Sequence, residues 1–409
     1  MTPYTIRLTQ AAHFGSRPRS DFIRHTDRHI EGATVRGAFA AAWIRDHGAP
    51  TPSSPRRADF LRLFEGGVRF SPLYAVDPPI SLAVVGHKYP VLEKCKADEF
   101  DLAMVRKPVT ACPDCGQTLV PRRDLREARG IPVSRKPGLQ VGDDGVAVDG
   151  NLFAIDSVRP GVSFTGELHG DPADVAELLA LEDLRVGGRR ATRGAVTLHQ
   201  STSSPATLPA NAPERVSAQE IVIRLASPAV FVDTEGRPVS APTAEELSAT
   251  LGVDTTVVKR WHRWRTVGGW HAASGLPKPM ETAVGAGSTY VCRTVTRADD
   301  AGLARLAERG IGLRRHEGFG HLAPPTPLAF TPKQRTSLRQ RWEAEAADSE
   351  SAPGFIQALE QVARGRADRA SLTAYVEAAA GTTAERRTIA LAAAPLTELR
   401  RLLAERGDQ

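Results

Sequence analysis

Two segments of the chain alternate apolar and polar residues in the manner of half-buried β-strands. One is YTIRLT at residues 4–9, and the other is EIVIRLASPAVFV at residues 220–232, which shares the triplet IRL. Further along, each is followed by a helical pattern, then by a loop rich in glycine and arginine, and then by a second strand pattern. Recurrence of this order predicts an internal repeat. We therefore expect an α+β fold with two ferredoxin-like modules of the RNA-recognition-motif type.

A helix is predicted over residues 34–47, TVRGAFAAAWIRDH, because apolar residues recur every four positions from Val35 to Trp43 and form one stripe. Thr34 is the expected N-cap. Arg36 would then lie in the first turn, where free N–H groups and the positive end of the helix dipole favour an anion. The stripe predicts ordinary core packing, whereas Arg36 is a candidate functional residue that suits an anion.

Two loops combine glycine with arginine, and each follows a predicted helix, at residues 171–184 and 297–310. Glycine allows positive φ and close approach of backbone N–H groups to a ligand, and arginine adds positive charge. The order helix, loop, strand does not fit the dinucleotide-binding motif, and neither loop has the GK[ST] ending of a P-loop. We expect both loops to bind the phosphates of a polynucleotide through a nest of amides and through their side chains; Gly-rich turns with solvated arginines are the alternative. The residues concerned are Gly187, Gly188, Arg189, Arg190, Arg193 and Gly194 in the first loop, and Gly312, Arg314, Arg315, His316, Gly318 and Gly320 in the second.

In a ferredoxin-like module, the first helix and the loop before the last strand can converge at one end of the sheet. This arrangement predicts that Arg36 lies beside Arg189, Arg190 and Arg193. The second loop, with its basic residues at 314–316, would form a matching patch on the second module, so that one RNA strand could run between the two.

Two changes in composition divide the chain. Residues 200–215 are rich in Ser, Pro and Ala and have no hydrophobic period, which predicts a linker. After the Pro-rich residues 323–333, the chain is rich in Ala, Leu and Glu, which predicts several helices. The predicted domains are an N-terminal module at 1–200 with a cysteine-containing insertion at about 86–130, a C-terminal module at 216–330, and a helical appendage at 334–409.

The 409 residues suffice for two or three domains, and 41% of them are apolar, so a sizeable core can form. No apolar run approaches the roughly 20 residues that a transmembrane helix needs, and four cysteines rule out a disulfide scaffold. The start MTPYTIRLTQ lacks the charged and apolar regions of a signal peptide. Together these features predict a soluble cytoplasmic protein.

The chain carries 53 Lys and Arg residues against 47 Asp and Glu residues, a net charge of +6. Residues 1–140 hold 22 basic and 14 acidic residues, a local charge of +8, so the remaining residues sum to −2. Of the 53 basic residues 45 are arginine, which forms bidentate phosphate contacts and stacks on bases. This composition suits a nucleic-acid partner, although codon use in a GC-rich genome would give the same excess of arginine.

Four segments, in the same order along residues 4–322, resemble the RAMP superfamily of CRISPR-associated proteins. GIGLRRHEGFGHL (310–322) is similar to its C-terminal glycine-rich loop, and IEGATVRGAFAAAW (30–43) is similar to its IPGSTLRGAL segment. GLPKPMETAVGAGSTYVCR (275–293) resembles the LPKP…AGSVYVF stretch of type III members. DGNLFAIDSVRPGVSFTGEL (149–168) resembles the segment that enters the last strand pairs of the first module.

The resemblance is greatest to the type III-D-type subunit with two fused RAMP modules. It implies a non-catalytic, RNA-binding subunit of a type III CRISPR effector complex. Such a subunit would hold the repeat-derived 5′ tag of the guide RNA and contact the large subunit and a backbone subunit. Neither module has the aromatic signatures of ordinary RNA-recognition motifs, so we expect the loops rather than a stacking sheet to bind RNA.

The cysteines are placed for a zinc site. Cys112 and Cys115 form the half-knuckle CPDCG, whose turn can present two thiolates to one ion. Cys95 lies seventeen positions before Cys112, and His87 lies eight positions before Cys95. Three cysteines need a fourth ligand, for which His87 and Asp101 are the candidates; a metal-free loop with reduced thiols is the alternative.

Two further basic stretches suit RNA. Residues 257–275 interleave three tryptophans with Lys and Arg, which can stack bases and bind phosphate; a packed helix with a basic outer face is the alternative. Residues 122–136 crowd Arg and Lys with Gly and Pro and predict a flexible loop that orders on RNA.

Two other functions remain open. Some RAMP relatives cut RNA by metal-independent acid–base transfer, and His13, His25, His29 or His316 could act as the acid or base near neutral pH. None of these histidines has a second catalytic group at a recognisable spacing. An endoribonuclease that processes guide RNA is the first alternative, and a purely structural complex subunit without direct RNA contact is the second.

Overall fold

The computed structural model describes residues 1–15, 22–75, 79, 81–87, 95, 99–105, 109–122, 131–188, 192–200, 211–271 and 276–324. These residues belong to one compact unit, Met1–Leu328. The predicted helical appendage and two arginines of the first glycine loop, Arg189 and Arg190, lie outside the described residues. Within the described ranges, no helix has the length and apolar character needed to cross a membrane.

The elements of the first half run from the N-terminus to residue 200. They are β1 Thr2–Leu8, β2 Ile23–Arg24, β3 His29–Ile30, α1 Gly32–His47, α2 Arg57–Phe60, a π-helical turn Leu61–Gly66, β4 Arg69–Phe70, β5 Leu73–Tyr74, β6 Val84–His87, β7 Glu99–Asp101, β8 Leu119–Pro121, β9 Val133–Val141, β10 Ala147–Val158, β11 Ser163–His169, α3 Pro172–Leu179 and β12 Val196–Gln200.

The second half follows after residue 210. Its elements are β13 Glu214–Ser217, β14 Glu220–Arg224, α4 Ala244–Leu251, β15 Thr255–Trp261, β16 Trp264–His271, β17 Leu276–Val284, β18 Thr289–Thr294, α5 Asp300–Arg309 and a 3₁₀ turn Arg315–Glu317.

The main sheet of the first half has the strand order β12-β1-β11-β5-β3, and β4 also pairs with β11. The strand after α3 therefore lies beside the first strand, in antiparallel register with Leu8 opposite Val196. Apolar residues of α1 pack on this sheet, with the ring of Phe39 edge-on to Tyr4 at a centroid distance of 6.0 Å. The alternation predicted for residues 4–9 thus corresponds to a strand whose apolar side faces the core.

Helix α1 begins two residues earlier than its sequence pattern predicts. It starts at Gly32, and the amide of Thr34 donates to the carbonyl of Glu31 at 2.9 Å, so the prediction of Thr34 as N-cap is wrong. Arg36 consequently lies beyond the first turn, where the dipole effect on an anion is weak. The apolar stripe is confirmed, since its three residues from Val35 to Trp43 are no more than 2% exposed.

The main sheet of the second half has the order β13-β14-β18-β15. After the second glycine loop the chain returns to the end of β14, where Leu322 forms an antiparallel bridge with Leu225, the residue that follows this strand. Helices α4 and α5 cover one face and share a core with β14 and β18. The chain after α3 thus lies beside β1, and the chain after α5 returns to the end of β14, within a mixed α/β fold.

Long strands lie where the sequence suggested a helix and a flexible loop: β15 and β16 in the first case, and β9, with its partner β10, in the second. Residues 257–271 form β15 and β16, so the helical alternative for the tryptophan-rich stretch is wrong. Arg135 and Lys136, predicted in a flexible loop, lie on β9, which pairs with β10. The guanidinium of Arg135 donates to Asp156 of β10 at 2.8 Å, and this ion pair bridges the two strands.

The cysteine-containing insertion folds as the small sheet β7-β6-β8 and packs on the second half. The amide of Leu82 donates to the carbonyl of Gly287 at 2.8 Å. Asp101 accepts from Arg224 at 2.6 Å, and both side chains are buried. Apolar residues of both parts complete this contact; they are Ala83, Ala103, Val222 and Val291. The insertion thus belongs to the first half in sequence, but it covers the face of the β13-β14-β18-β15 sheet that lies opposite α4 and α5.

Candidate functional site

The second glycine loop packs against the start of α1, so residues of both halves meet there. Gly318 has a φ of 90° and touches the Cα of Gly32 and the carbonyl oxygen of Phe70, which leaves no room for a Cβ on either glycine. A Cβ on Gly320 would likewise overlap the carbonyl oxygen of Ile311. The glycines are therefore required by close packing of the backbone.

The amides of these loops are used within the protein. Most of the singled-out glycines donate their N–H groups to protein oxygens at 2.7–3.1 Å: Gly188 to His13, Gly194 to Ala11, Gly312 to Glu246, Gly318 to Arg315 and Gly320 to Pro228. The prediction of an amide nest for phosphate is wrong at these positions. The side chains of the loops are the groups that remain for a ligand.

Arg314 is held by carboxylates of its own half. Its guanidinium donates to Glu317 at 3.0 and 2.9 Å and to Glu281 at 2.7 Å, and it lies over the ring of Phe319. Burial alone would raise the pKa of Glu317, but the hydrogen bonds from Arg314 and Lys278 hold that pKa at about 2. Arg314 therefore stabilises the loop and is neutralised as it does so.

Arg36 shares a partner with the second loop. It donates to the carbonyl of Phe64 at 2.9 Å and forms an ion pair with Glu65, whose carboxylate lies 3.4 Å from Nε2 of His316. Burial and the nearby Arg36 lower the pKa of His316. The contacts of Arg36 are thus made toward the second loop, whereas Arg193 of the first loop donates weakly to the hydroxyl of Ser157 at 3.4 Å.

Four predicted metal ligands come together in the insertion. The ligand atoms of His87, Cys95, Cys112 and Cys115 all lie within 4.8 Å of one another. Gly116 has a φ of 73°, and its amide donates to the carbonyl of Cys112 at 2.8 Å, which closes the tight turn of the half-knuckle. A tetrahedral zinc site places such atoms about 3.8 Å apart, so a small inward movement would complete the coordination.

The fourth ligand can be chosen from the structure. His87 ends β6 and faces the three cysteines, whereas Asp101 is committed to the buried ion pair with Arg224. Asp101 is therefore the wrong alternative. Three thiolates and one imidazole form a donor set that suits a structural metal ion.

The sequence analysis did not identify the three carboxylates that pair with the basic residues of the junction. Glu317 stands inside the motif RRHEGFG, but the sequence offers no signal that it binds Arg314. Glu65 and Glu281 are far from the loop along the chain and reach it only through the fold. Sequence patterns identify the positive groups, and tertiary contacts determine which of them are already paired.

Two buried histidines lie next to this junction, one from each half. The rings of His169 and His321 are 5.1 Å apart, and both residues are at most 4% exposed. Burial lowers the pKa of each imidazole, and the neighbouring Arg69 adds to the effect. Both side chains are therefore neutral in the folded protein near pH 7.

Acidification is expected to destabilise the protein through these two histidines. Below about pH 6.5 the unfolded chain binds protons that the folded protein excludes, so each histidine removes up to about 1.4 kcal/mol of unfolding free energy per pH unit. Urea unfolding at pH 7.5, 6.5 and 5.5 measures this slope. His321→Gln should flatten it, and His199→Gln, an exposed histidine on β12, should not. An unchanged slope in His321→Gln would show that its burial is not what sets the acid sensitivity.

Comparison with known families gives one match. The sequence profile of a family described as CRISPR-associated protein (Cas_Cmr3) matches residues 118–324, about half of the chain. The matched residues include the second glycine loop. They begin three positions after Cys115, so the cysteines of the insertion lie outside the match. No curated protein matches the sequence.

Several solved structures are similar at low sequence identity. A chain of the type III-B Cmr-beta complex bound to cognate target RNA and AMPPnP is 11% identical, covers 71% of this chain and 86% of its own, and has a TM-score of 0.40. A chain of a type III-A Csm3–Csm4 subcomplex is 11% identical, with coverages of 73% and 95% and a TM-score of 0.34. A Cas6-related protein of Pyrococcus furiosus is 8% identical, with coverages of 79% and 98% and a TM-score of 0.33.

Proposed function

Because the chain belongs to the Cas_Cmr3 family of CRISPR-associated proteins, we propose that it is a non-catalytic, RNA-binding subunit of a type III CRISPR effector complex. In this proposal it holds the repeat-derived 5′ tag of the guide RNA, and it acts in the cytoplasm. The LPKP segment, which resembles type III members, supports the complex type. The large subunit and a backbone subunit are the proposed protein partners.

The observation that carries this proposal is the junction between α1 and the second glycine loop. There Arg36 of the first half and His316 of the second half share Glu65. Arg265 of β16 reaches the same end of α1, where it donates to Glu31 at 2.5 Å. Basic side chains from both halves thus line one seam, and a single RNA strand can contact both halves at once.

The proposal includes two ferredoxin-like RAMP modules, at 1–200 and 216–330. The return of the chain to β1 after α3, and to the end of β14 after α5, supports it. The insertion at about 86–130 would be a structural zinc unit. The donor set supports zinc, because three thiolates and an imidazole prefer this ion, and because the apolar core around the cluster is small. The appendage at 334–409 stays a prediction.

The three N-terminal histidines named as candidate acids or bases are held by local contacts. His13 and His25 contact Asp156 through its carbonyl and its carboxylate, each at 2.8–2.9 Å, and the ring of His29 stacks on Tyr74. His316 beside Glu65 is the pair that an endoribonuclease would use. Metal-free incubation with a repeat RNA separates the two functions: the proposal expects intact RNA, and cleavage abolished by His316→Ala would favour the nuclease.

Loss of one phosphate contact is expected to weaken RNA binding. Arg36→Ala and Arg193→Ala should each cost about 1.5–3 kcal/mol of binding free energy, since a charge-assisted contact is lost. Arg314→Ala should weaken binding by releasing the second loop, which Arg314 holds through Glu317 and Glu281. The salt dependence of binding should also decrease by about 0.7–1 unit per contact. The measurement is the affinity for a tagged RNA at several salt concentrations, with RNA identity taken from sequencing of copurified RNA.

The matched control is Arg293→Ala. Arg293 lies on β18, is exposed, and pairs with Glu220 at 2.8 Å. It should bind RNA like the wild type. Wild-type affinity and salt slope in all three test variants would contradict the assigned residues, and absence of any salt-dependent RNA affinity in the wild type would contradict the function itself.

A further inference from the structure

Three arginines that form no close carboxylate contact in the described part of the chain lie beside the second glycine loop; the ion pair of Arg315 with Glu246 spans 3.8 Å. Arg69 lies on β4, which packs against the 3₁₀ turn that begins at Arg315. The guanidinium of Arg69 also donates to the carbonyl of Glu308, the residue before Arg309 at the end of α5. Burial lowers the pKa of Arg69, and the positive charge of the nearby Arg315 lowers it further. The fold therefore concentrates positive charge at this place.

Several buried nitrogen atoms here have no hydrogen-bond partner in the described part of the chain. They are Nε of Arg69, Nη1 of Arg315, Nδ1 of His169 and Nε2 of His321. Buried polar groups are nearly always hydrogen-bonded, and an unpaired one costs about 1–3 kcal/mol. A cluster of such atoms in one place fits an acceptor that is not part of the chain, which is a water molecule or an anion.

The carboxylates around the cluster do not supply that acceptor. Glu246 lies 3.8 Å from Nη1 of Arg315, beyond hydrogen-bond distance, and already accepts from the amide of Gly312 at 2.7 Å. Glu167 lies 3.3 Å from Nε2 of His169. Glu308, which also lies near Arg69, offers it a carbonyl oxygen. Among the described residues, all four atoms are therefore left without an acceptor.

We propose that Arg69, Arg309, Arg315 and His321 form a binding site for a phosphate group at the junction of the two halves. A tetrahedral oxyanion can accept from several of these donors at once, and it would offset the repulsion among the guanidinium groups. Arginine supplies fixed N–H donors, and neutral His321 supplies one when Nε2 carries its proton. The phosphate is either a backbone group of bound RNA, which rests on the proposed function, or free inorganic phosphate.

The first arm of the test uses inorganic phosphate alone. Melting temperature is measured in sodium phosphate and in sodium chloride at matched ionic strength. Wild-type protein should be stabilised by phosphate in a saturable manner, and Arg69→Met and Arg309→Met should lose this increment. Arg309 is exposed, so its variant keeps the test valid if Arg69→Met does not fold. Arg237→Met, an exposed arginine paired with Asp233 and Glu235, should retain the increment.

The second arm uses a tagged RNA. If RNA supplies the phosphate, the two test variants should bind about ten- to a hundredfold more weakly, and Arg237→Met should not. A phosphate increment together with unchanged RNA affinity would identify free phosphate as the ligand. Equal melting temperatures in both salts, with wild-type RNA affinity in both variants, would overturn the site. If the wild-type protein binds no RNA, the proposed function fails, and the phosphate arm still decides the site.

Discussion

Replacing Cys112 with serine is expected to remove about one equivalent of bound zinc from the purified protein and to unfold the insertion. Cys112 is one of four clustered ligands, and the apolar core beside it comprises few buried side chains, among them Val85 and Leu119. Such a core is small, so the metal would add strongly to the contacts that the insertion makes with the second half; apparent binding free energies are about 10–16 kcal/mol in zinc-finger peptides. Metal analysis and thermal unfolding measure both effects.

The control for this experiment is Cys292→Ala. Cys292 lies on β18, is fully buried, and has a thiol pKa raised to about 12 by burial, so it is a packing residue far from metal chemistry. Its variant should keep the zinc and lose only some packing energy. Unchanged zinc content and unchanged melting temperature in Cys112→Ser would mean that the cluster binds no structural metal.

Breaking the buried ion pair between the insertion and the second half should have the next largest effect on stability. In Arg224→Met the carboxylate of Asp101 stays buried without its partner, which is 2.6 Å away in the wild type. A buried pair that loses one member typically costs about 3–5 kcal/mol. Urea unfolding should therefore show a large decrease in the free energy of unfolding.

A second substitution separates the cost of an unpaired charge from the value of the pair. Asp101→Leu combined with Arg224→Met removes both charges and should recover much of the loss, because apolar replacement of a whole buried pair is often tolerated. Arg293→Met, which opens an exposed ion pair on the same sheet, should cost at most about 1 kcal/mol. A double variant as unstable as Arg224→Met would show that packing, and not charge, sets the effect.

The local elements were predictable from sequence because their causes are local. Asp171 caps α3 through the amide of Ala173 at 2.9 Å, and Pro172 occupies its first position, as the pattern DPAD predicts. The stripe of α1 and the resemblance to CRISPR-associated proteins were likewise confirmed, the latter by the family match. The half-knuckle at Cys112 also needs only a short turn.

The start of α1 and the pairing of charges depend on distant contacts. Gly32 begins the helix where it meets Gly318, nearly 300 residues away, which no local pattern encodes. The availability of Arg36 and Arg314 depends on Glu65 and Glu281, which the fold brings to them. Sequence reasoning therefore located the positive residues and could not determine which of them are neutralised.

During synthesis on the ribosome, the insertion is made long before the part of the second half on which it packs. Ala83 and Ala103 emerge long before Val222 and Val291, the residues that cover them. For nearly 190 residues of elongation, about 10 to 40 s at typical rates, the nascent chain carries an apolar patch without its cover. Production of residues 1–200 alone would make this exposure permanent, so that fragment should require a chaperone or aggregate.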